Sequence, residues 1–107
     1  LGNYKLYSKD NGLILRTGSS ENPNGVIKFL TGNLPSENSS LERMRIDSNG
    51  NIGFGTPNPK SKVQVTDGDV YIDNPSRGII LKSPNGTCWR VTIDDLGNFV
   101  RTSIVCP

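Results

Sequence analysis

The sequence predicts an all-β protein of short antiparallel strands and stacked hairpins, sandwich-like or intertwined as a fibre, and oligomeric. Three observations predict it. The 107 residues contain no alanine, while glycine and asparagine each occur 12 times and proline 7 times. Such a chain lacks the best helix former and is dense in turn formers. Apolar residues recur at every second position in short runs, the period of a half-buried strand. Turn signals separate these runs at roughly 10- to 15-residue spacing, as in stacked hairpins or a sandwich.

The elements follow in order. Asn3 to Thr17 reads as a hairpin: Tyr4 and Leu6 alternate with Lys5 and Tyr7, Asp10-Asn11-Gly12 reverses the chain, and Leu13-Ile14-Leu15 returns. Gly18 to Gly25 is a polar loop. Val26 to Thr31 is the next strand, with Ile27 and Phe29 inward, and Gly32 to Ser40 is again loop-like. Glu42 to Thr56, ERMRIDSNGNIGFGT, is the stretch around which the rest is organised. Met44 and Ile46 point one way and Arg43 and Arg45 the other, and Asp47 to Asn51 supplies residues that tolerate positive φ. Ile52 and Phe54 resume the apolar face, and Gly53 and Gly55 leave the other side bare for a closely packed backbone or a second copy. Pro57 and Pro59 end the strand.

Lys62 to Thr66 is a further strand with Val63 and Val65 inward, and Asp67-Gly68 turns into Val70-Tyr71-Ile72. After a turn at Asn74-Pro75, Gly78 to Lys82 and Thr87 to Ile93 flank Ser83-Pro84-Asn85-Gly86 as a hairpin. Asp94 to Asn98 then turns the last strand, Phe99 to Val105, back. Three regions result: 1–34 is an N-terminal hairpin and strand region, 35–66 a loop with the central motif, and 67–107 a C-terminal hairpin region. Together they read as a single continuous fibre domain. Ile46-Asp47-x-x-Gly50-Asn51-Ile52 returns as Ile93-Asp94-x-x-Gly97-Asn98-Phe99, and Ser8 to Leu13 is a looser copy. One kind of turn used three times accounts for this better than a repeated module.

The segment ERMRIDSNGNIGFGTPNP, Glu42 to Pro59, closely resembles the "ERMRI…G.vGIGT..P" segment of phage tail fibres and fibrous bacterial surface proteins, many of them trimeric. The resemblance extends over Ile27 to Val65. The tail from Gly78 onward is similar to C-terminal segments of fibre-like proteins of Bacteroidetes and their phages. In many relatives the segment is followed by a self-cleaving chaperone domain of the endosialidase type, and nothing after Thr56 is long or helical enough to be one. The resemblance implies a trimer, with Met44, Ile46, Ile52 and Phe54 as a seam buried near the threefold axis. It also implies a non-enzymatic role in attachment to cell-surface glycan.

Composition narrows the alternatives. Apolar residues make up 33% of the chain, a thin supply for a monomer that must offset its own ordering entropy, so further copies would provide the missing burial. Net charge is +2, and Arg16, Arg43, Arg45, Arg77, Arg90 and Arg101 are scattered singly, which argues against nucleic acid. No apolar stretch approaches the ~20 residues needed to span a membrane. The start at Leu1 is compatible with removal of a signal or of a larger N-terminal part.

Motifs for chemistry are sparse. With no histidine, histidine triads and histidine metal sites are absent. Gly53-Phe54-Gly55 lacks the third glycine and helix of a phosphate loop. Asp47 to Asn51 fails as a calcium loop, because Ile52 stands where glycine is needed and Asn58 where glutamate is needed. Asp67, Asp69, Asp94 and Asp95 all fall in turn sequence, so no catalytic residue, metal or cofactor is expected. Asn38-Ser39-Ser40 and Asn85-Gly86-Thr87 are glycosylation sequons that read equally as loop and turn. Tyr7, Tyr71 and Phe99 fall on the outward phase of their strands. The two tyrosines are candidate glycan contacts, since aromatic faces suit the C–H faces of sugars. Packing against neighbouring chains is the alternative, and Trp89 reads as core.

Cys88 and Cys106 are the two cysteines, with no spacing suited to metal. A two-residue turn at Leu96-Gly97 gives paired residue numbers a sum of 193 and sets Cys88 against Val105. A single bulge in the last strand raises the sum to 194 and brings Cys88 and Cys106 together. The unbulged register would instead link neighbouring chains. The intrachain disulfide is the expectation, and with it an extracellular or virion-surface location. The function expected is a tail-fibre or adhesin domain. The alternative is a secreted subunit that polymerises into an extracellular β-rich filament by strand addition or exchange.

Overall fold

The structure, a computed structural model, describes residues 12–18, 20, 21, 23–32 and 42–107. Among these residues there are seven strands and no helix: β1 (Ile27–Leu30), β2 (Glu42–Ile46), β3 (Ile52–Phe54), β4 (Val63–Val65), β5 (Ile79–Lys82), β6 (Cys88–Ile93) and β7 (Phe99–Ile104). The all-β expectation holds for them. The chain divides into two compact units, Leu1–Asp69 and Val70–Pro107. One carries a sheet of order β1-β2-β3-β4, the other a sheet of order β5-β6-β7. The expected arm Asn3 to Asn11, including Tyr7, and the loop from Asn33 to Ser40 with its Asn38 sequon lie outside the described residues.

In the first sheet β1, β2 and β3 are antiparallel neighbours. β4 then departs from the expectation of antiparallel hairpins by pairing parallel to β3, Ile52 with Val63 and Phe54 with Val65. The reason lies in Gly55 to Ser61. Gly55 adopts φ 74°, and the prolines that follow cannot donate to a ladder, so the chain crosses back to its starting end instead of making a hairpin. Backbone bonds extend both ends of the pairing, from Ile52 N–H to Lys62 O at 2.9 Å and from Thr66 N–H to Phe54 O at 3.0 Å. The crossover passes directly over Gly53. A Cβ there would lie 2.8 Å from the Thr56 carbonyl oxygen and 3.0 Å from its Cγ2. The close approach expected at Gly53 is therefore made by the chain's own backbone, and both Gly53 and Pro59 are buried.

Three turns share one geometry. In Asp47 to Asn51, Ser83 to Thr87 and Asp94 to Asn98 the first residue's N–H donates to the fifth residue's carbonyl, and the glycine N–H donates back to the first residue's carbonyl, all at 2.9–3.0 Å. The fourth residue is a glycine at φ 78°, 89° and 82° respectively, the left-handed bulge position that follows a type I turn. Side chains pin the loop. Asp47 Oδ1 accepts from the N–H groups of Asn49 and Asn51 (2.9 Å each), and Asp94 Oδ1 accepts from those of Leu96 (2.9 Å) and Asn98 (2.8 Å). The two Ile-Asp-x-x-Gly-Asn segments are thus the same turn, while Ser8 to Leu13 falls largely outside the described residues.

That geometry corrects the expected register. Ile93 pairs with Phe99 and Cys88 with Ile104, so paired numbers sum to 192 in place of 193 or 194. The parity-changing bulge exists, but it is at Gly97 in the turn and not in the last strand. Cys106 lies two residues beyond Ile104, on the same face as Cys88, and the two form the intrachain disulfide with Cα atoms 5.2 Å apart. Two further readings change. Leu13-Ile14-Leu15, expected as the return arm of a hairpin, forms no ladder, and neither does Val70-Tyr71-Ile72.

Candidate functional site

Strand pairing assembles two apolar faces from residues distant in sequence. In the first sheet the pairings Ile27–Ile46, Phe29–Met44, Met44–Phe54, Ile46–Ile52, Ile52–Val63 and Phe54–Val65 put eight apolar side chains on one side. The four expected seam residues, Met44, Ile46, Ile52 and Phe54, are all among them. Met44, Ile46 and Ile52 are half-buried by one another and their neighbours, whereas Phe54 remains 40% and Val63 61% exposed. Nothing else in the unit's described strands covers this side.

The opposite side is polar and closed. Arg45 forms a two-pronged pair with Glu42, Nε to Oε1 at 2.5 Å and an Nη to Oε2 at 2.8 Å, and its other Nη donates to the Pro57 carbonyl at 2.8 Å. Both side chains are largely shielded from water. Donation to the Glu42 carboxylate holds the guanidinium's pKa above its ordinary value. Arg45 thereby ties the crossover to the sheet. Arg43 reaches instead to the β1 end, where its Nε donates to Thr31 Oγ1 at 2.9 Å.

The second sheet repeats the asymmetry. Ile79, Leu81, Trp89, Val91, Ile93 and Phe99 share a face, with Arg101 and Ser103 at its β7 edge. Phe99 was expected to point outward in a different phase from Ile93, but the glycine bulge pairs the two directly, and Phe99 is 80% exposed. Trp89 is half-buried, and its indole N–H donates to Ser83 Oγ at 3.2 Å. Among the described residues only Gly53, Pro59 and Cys88 are buried, and Cys88 is the single hydrophobic one, at 4% exposure. Trp89, expected in the core, is thus half-buried on the sheet's apolar face. The internal repeat carried the signal for Phe99: Ile46 and Ile52 pair across the first turn, and Ile93 and Phe99 hold the same places in the second.

A groove of about 370 Å³ runs beside the end of this face, lined by Tyr71 to Pro75 and Arg77 together with Ile79, Val91, Ile93 and Phe99. An Asx turn shapes its polar part: Ser76 N–H and Oγ–H both donate to Asn74 Oδ1, at 3.0 and 2.7 Å. Tyr71 is 88% exposed. Among the described residues, neither Asp73 nor Arg77 engages its side chain in a hydrogen bond or ion pair, so both are free to meet a ligand. Tyr7, the other expected glycan contact, lies outside the described residues.

The acidic residues are dispersed. Asp94 serves its turn, and the Asn98 amide donating to its carboxylate at 3.0 Å, with backbone N–H groups of the turn, draws its pKa below the ordinary value. Asp67 adopts φ 55° in the turn after β4. No group of three or more metal-ligating side chains occurs among the described residues. Among the described residues no helix is long and apolar enough to cross a membrane. Comparison with protein-family models, with curated proteins and with solved structures finds no match for this chain.

Proposed function

We propose that this chain is a non-enzymatic structural and attachment subunit of an extracellular or virion-surface fibre, a tail fibre or adhesin, acting as a homo-oligomer. The observation that supports the reading is the eight-residue apolar face of the first sheet. No other described strand covers it, and Phe29, Phe54, Val63 and Val65 on it are exposed, while the chain's own crossover seals the opposite side. Burying the apolar face against other copies would add apolar burial that the described strands do not supply. The trimer follows from the resemblance of Glu42 to Pro59 to trimeric fibres, in which three such faces meet about one axis. The Cys88–Cys106 disulfide fits an oxidising location. Mass measurement under native conditions tests the assembly: one mass of three chains, independent of concentration, is expected, and a monomer refutes it.

Glycan attachment is assigned to Tyr71, with Asp73, Asn74 and Arg77 beside it. An exposed ring supplies stacking, and the flanking carboxylate, amide and guanidinium supply acceptors and donors for hydroxyls. Titration against a panel of cell-surface glycans should show binding that Tyr71→Ala weakens at least tenfold. Equal binding by the variant would remove Tyr71 from the site. One observation favours the alternative of an open filament. β5 and β7 are both edge strands of a three-stranded sheet, and such edges accept further strands. A concentration-dependent series of masses would identify that mode.

A further inference from the structure

We infer that Asn49 is a self-modification site, at which the Gly50 backbone nitrogen displaces the asparagine's side-chain nitrogen and Lys62 promotes the reaction. The chain carries the same dipeptide in two copies of one turn, as Asn49-Gly50 and as Asn85-Gly86. Each dipeptide holds the third and fourth places of its turn, and all four residues are exposed. The glycines sit at φ 78° and 89°, and their N–H groups donate to the first residue's carbonyl at 3.0 and 2.9 Å. With no side chain on glycine, nothing hinders the approach of its nitrogen to the asparagine Cγ. The nucleophile is therefore alike in the two turns, and what differs is the asparagine.

The atom that pins each loop makes the difference. In the first turn Asp47 Oδ1 accepts from the N–H groups of Asn49 and Asn51, and among the described residues the Asn49 side chain has no hydrogen bond of its own. In the second turn a serine stands in the place of Asp47, and the pinning moves to Asn85. Its Oδ1 accepts from Ser83 Oγ–H at 2.7 Å and from Thr87 N–H at 3.1 Å. Asn85 must give up both bonds before its Cγ can turn toward Gly86, whereas Asn49 has none to lose. Lys62 adds a second difference. Its Nζ donates to the Asn49 carbonyl oxygen at 3.3 Å. A cation there stabilises the negative charge that spreads over the peptide group as the Gly50 nitrogen loses its proton. Among the described residues no cationic side chain bonds to the Asn85 carbonyl.

The reaction needs no co-reactant but water. The Gly50 nitrogen passes its proton to solvent and bonds to Asn49 Cγ, and the side-chain nitrogen leaves as ammonia. Water then opens the five-membered ring at either carbonyl, giving aspartate or isoaspartate at position 49. Both products carry a new negative charge. Isoaspartate also adds one main-chain atom to the turn that sets Ile46 against Ile52.

The test uses the full chain with its disulfide intact, held in mildly alkaline buffer and sampled over weeks. Peptide mapping by mass spectrometry follows the gain of ~1 Da at each site. A parallel sample in denaturant supplies the rate of each dipeptide without its turn. In the native chain Asn49 should react at least ~5-fold faster than Asn85, and denaturation should bring the two rates within ~2-fold of each other. Lys62→Met should slow Asn49 at least ~2-fold and leave Asn85 unchanged, whereas Lys62→Arg, which keeps the cation, should restore the rate. A native ratio equal to the denatured one, or faster reaction at Asn85, overturns the assignment of the site. A rate at Asn49 that Lys62→Met does not alter, with the circular dichroism spectrum native, overturns the role of Lys62.

Discussion

Replacing Cys88 and Cys106 together by alanine should cost the C-terminal unit most of its stability. The bond closes a loop across a sequence separation of 18. Chain entropy alone then assigns it about 11 cal/mol/K, or ~3 kcal/mol at 25 °C. The β6–β7 ladder does not make it redundant. That ladder ends at the pair Cys88–Ile104, and the bridge ties down Val105 to Pro107, which would otherwise fray. Against this, alanine at position 88 removes little volume, so the change isolates the cross-link. For a domain of this order ~3 kcal/mol corresponds to a fall in Tm of at least ~10 °C. Thermal denaturation followed by circular dichroism is the assay, run on the double variant and on the wild type with and without reductant. Reductant and double variant should agree. A Tm within about 2 °C of the oxidised wild type, with the spectrum retained, would show that the ladder and its partners already supply the constraint and that the entropic reasoning fails here.

Three further outcomes are expected. Ile46→Asp places a charge on the shared apolar face of the first sheet, between Ile27 and Ile52, and should abolish assembly together with folding of that unit; a folded oligomer of native mass would mean that the face is not the seam. Gly53→Ala drives a methyl to 2.8 Å from the Thr56 carbonyl oxygen and should cost ~1–3 kcal/mol through displacement of the crossover. Gly97→Ala, at φ 82° with open space around it, should cost ~1–2 kcal/mol through backbone strain alone; denaturant titrations in which neither variant shifts the midpoint would contradict both accounts. Acidification should loosen the β6–β7 hairpin. The folded-state pKa of Asp94 is lowered by the Asn98 amide and the turn's N–H groups, so its contribution is complete above the unfolded carboxylate's pKa and disappears as pH falls through the lower folded value. Amide exchange at Leu96 and Asn98 should record the loss, and a profile for Asp94→Asn identical to wild type would assign the acid sensitivity elsewhere.

Much of the local structure was legible from residue order. The alternations in Glu42 to Phe54 and in Thr87 to Ile93 determine which side chains share a face, because successive side chains of a strand point to opposite sides whatever lies beyond it. The turns were equally local. Asp47 and Asp94 bond to backbone only two and four residues ahead, and a glycine takes the one position that needs positive φ. Met44, Ile46, Ile52 and Phe54 came together on one side for these reasons.

Tertiary structure decided what depends on partners far along the chain. Val70-Tyr71-Ile72 alternates as a strand should, yet it forms no ladder, since a strand exists only where a neighbour supplies its hydrogen bonds. Val63 and Val65 could be read as inward, but not as parallel neighbours of Ile52 and Phe54. That placement follows from a crossover that returns over Gly53 and is held by Arg45 at the Pro57 carbonyl. The cysteine pair shows the division most directly. Two residues of the same parity could meet only after one residue shifted the register. The shift itself sits in the local turn at Gly97, but it took the paired ladder from Ile93–Phe99 to Cys88–Ile104 to carry it to cysteines 18 residues apart in sequence.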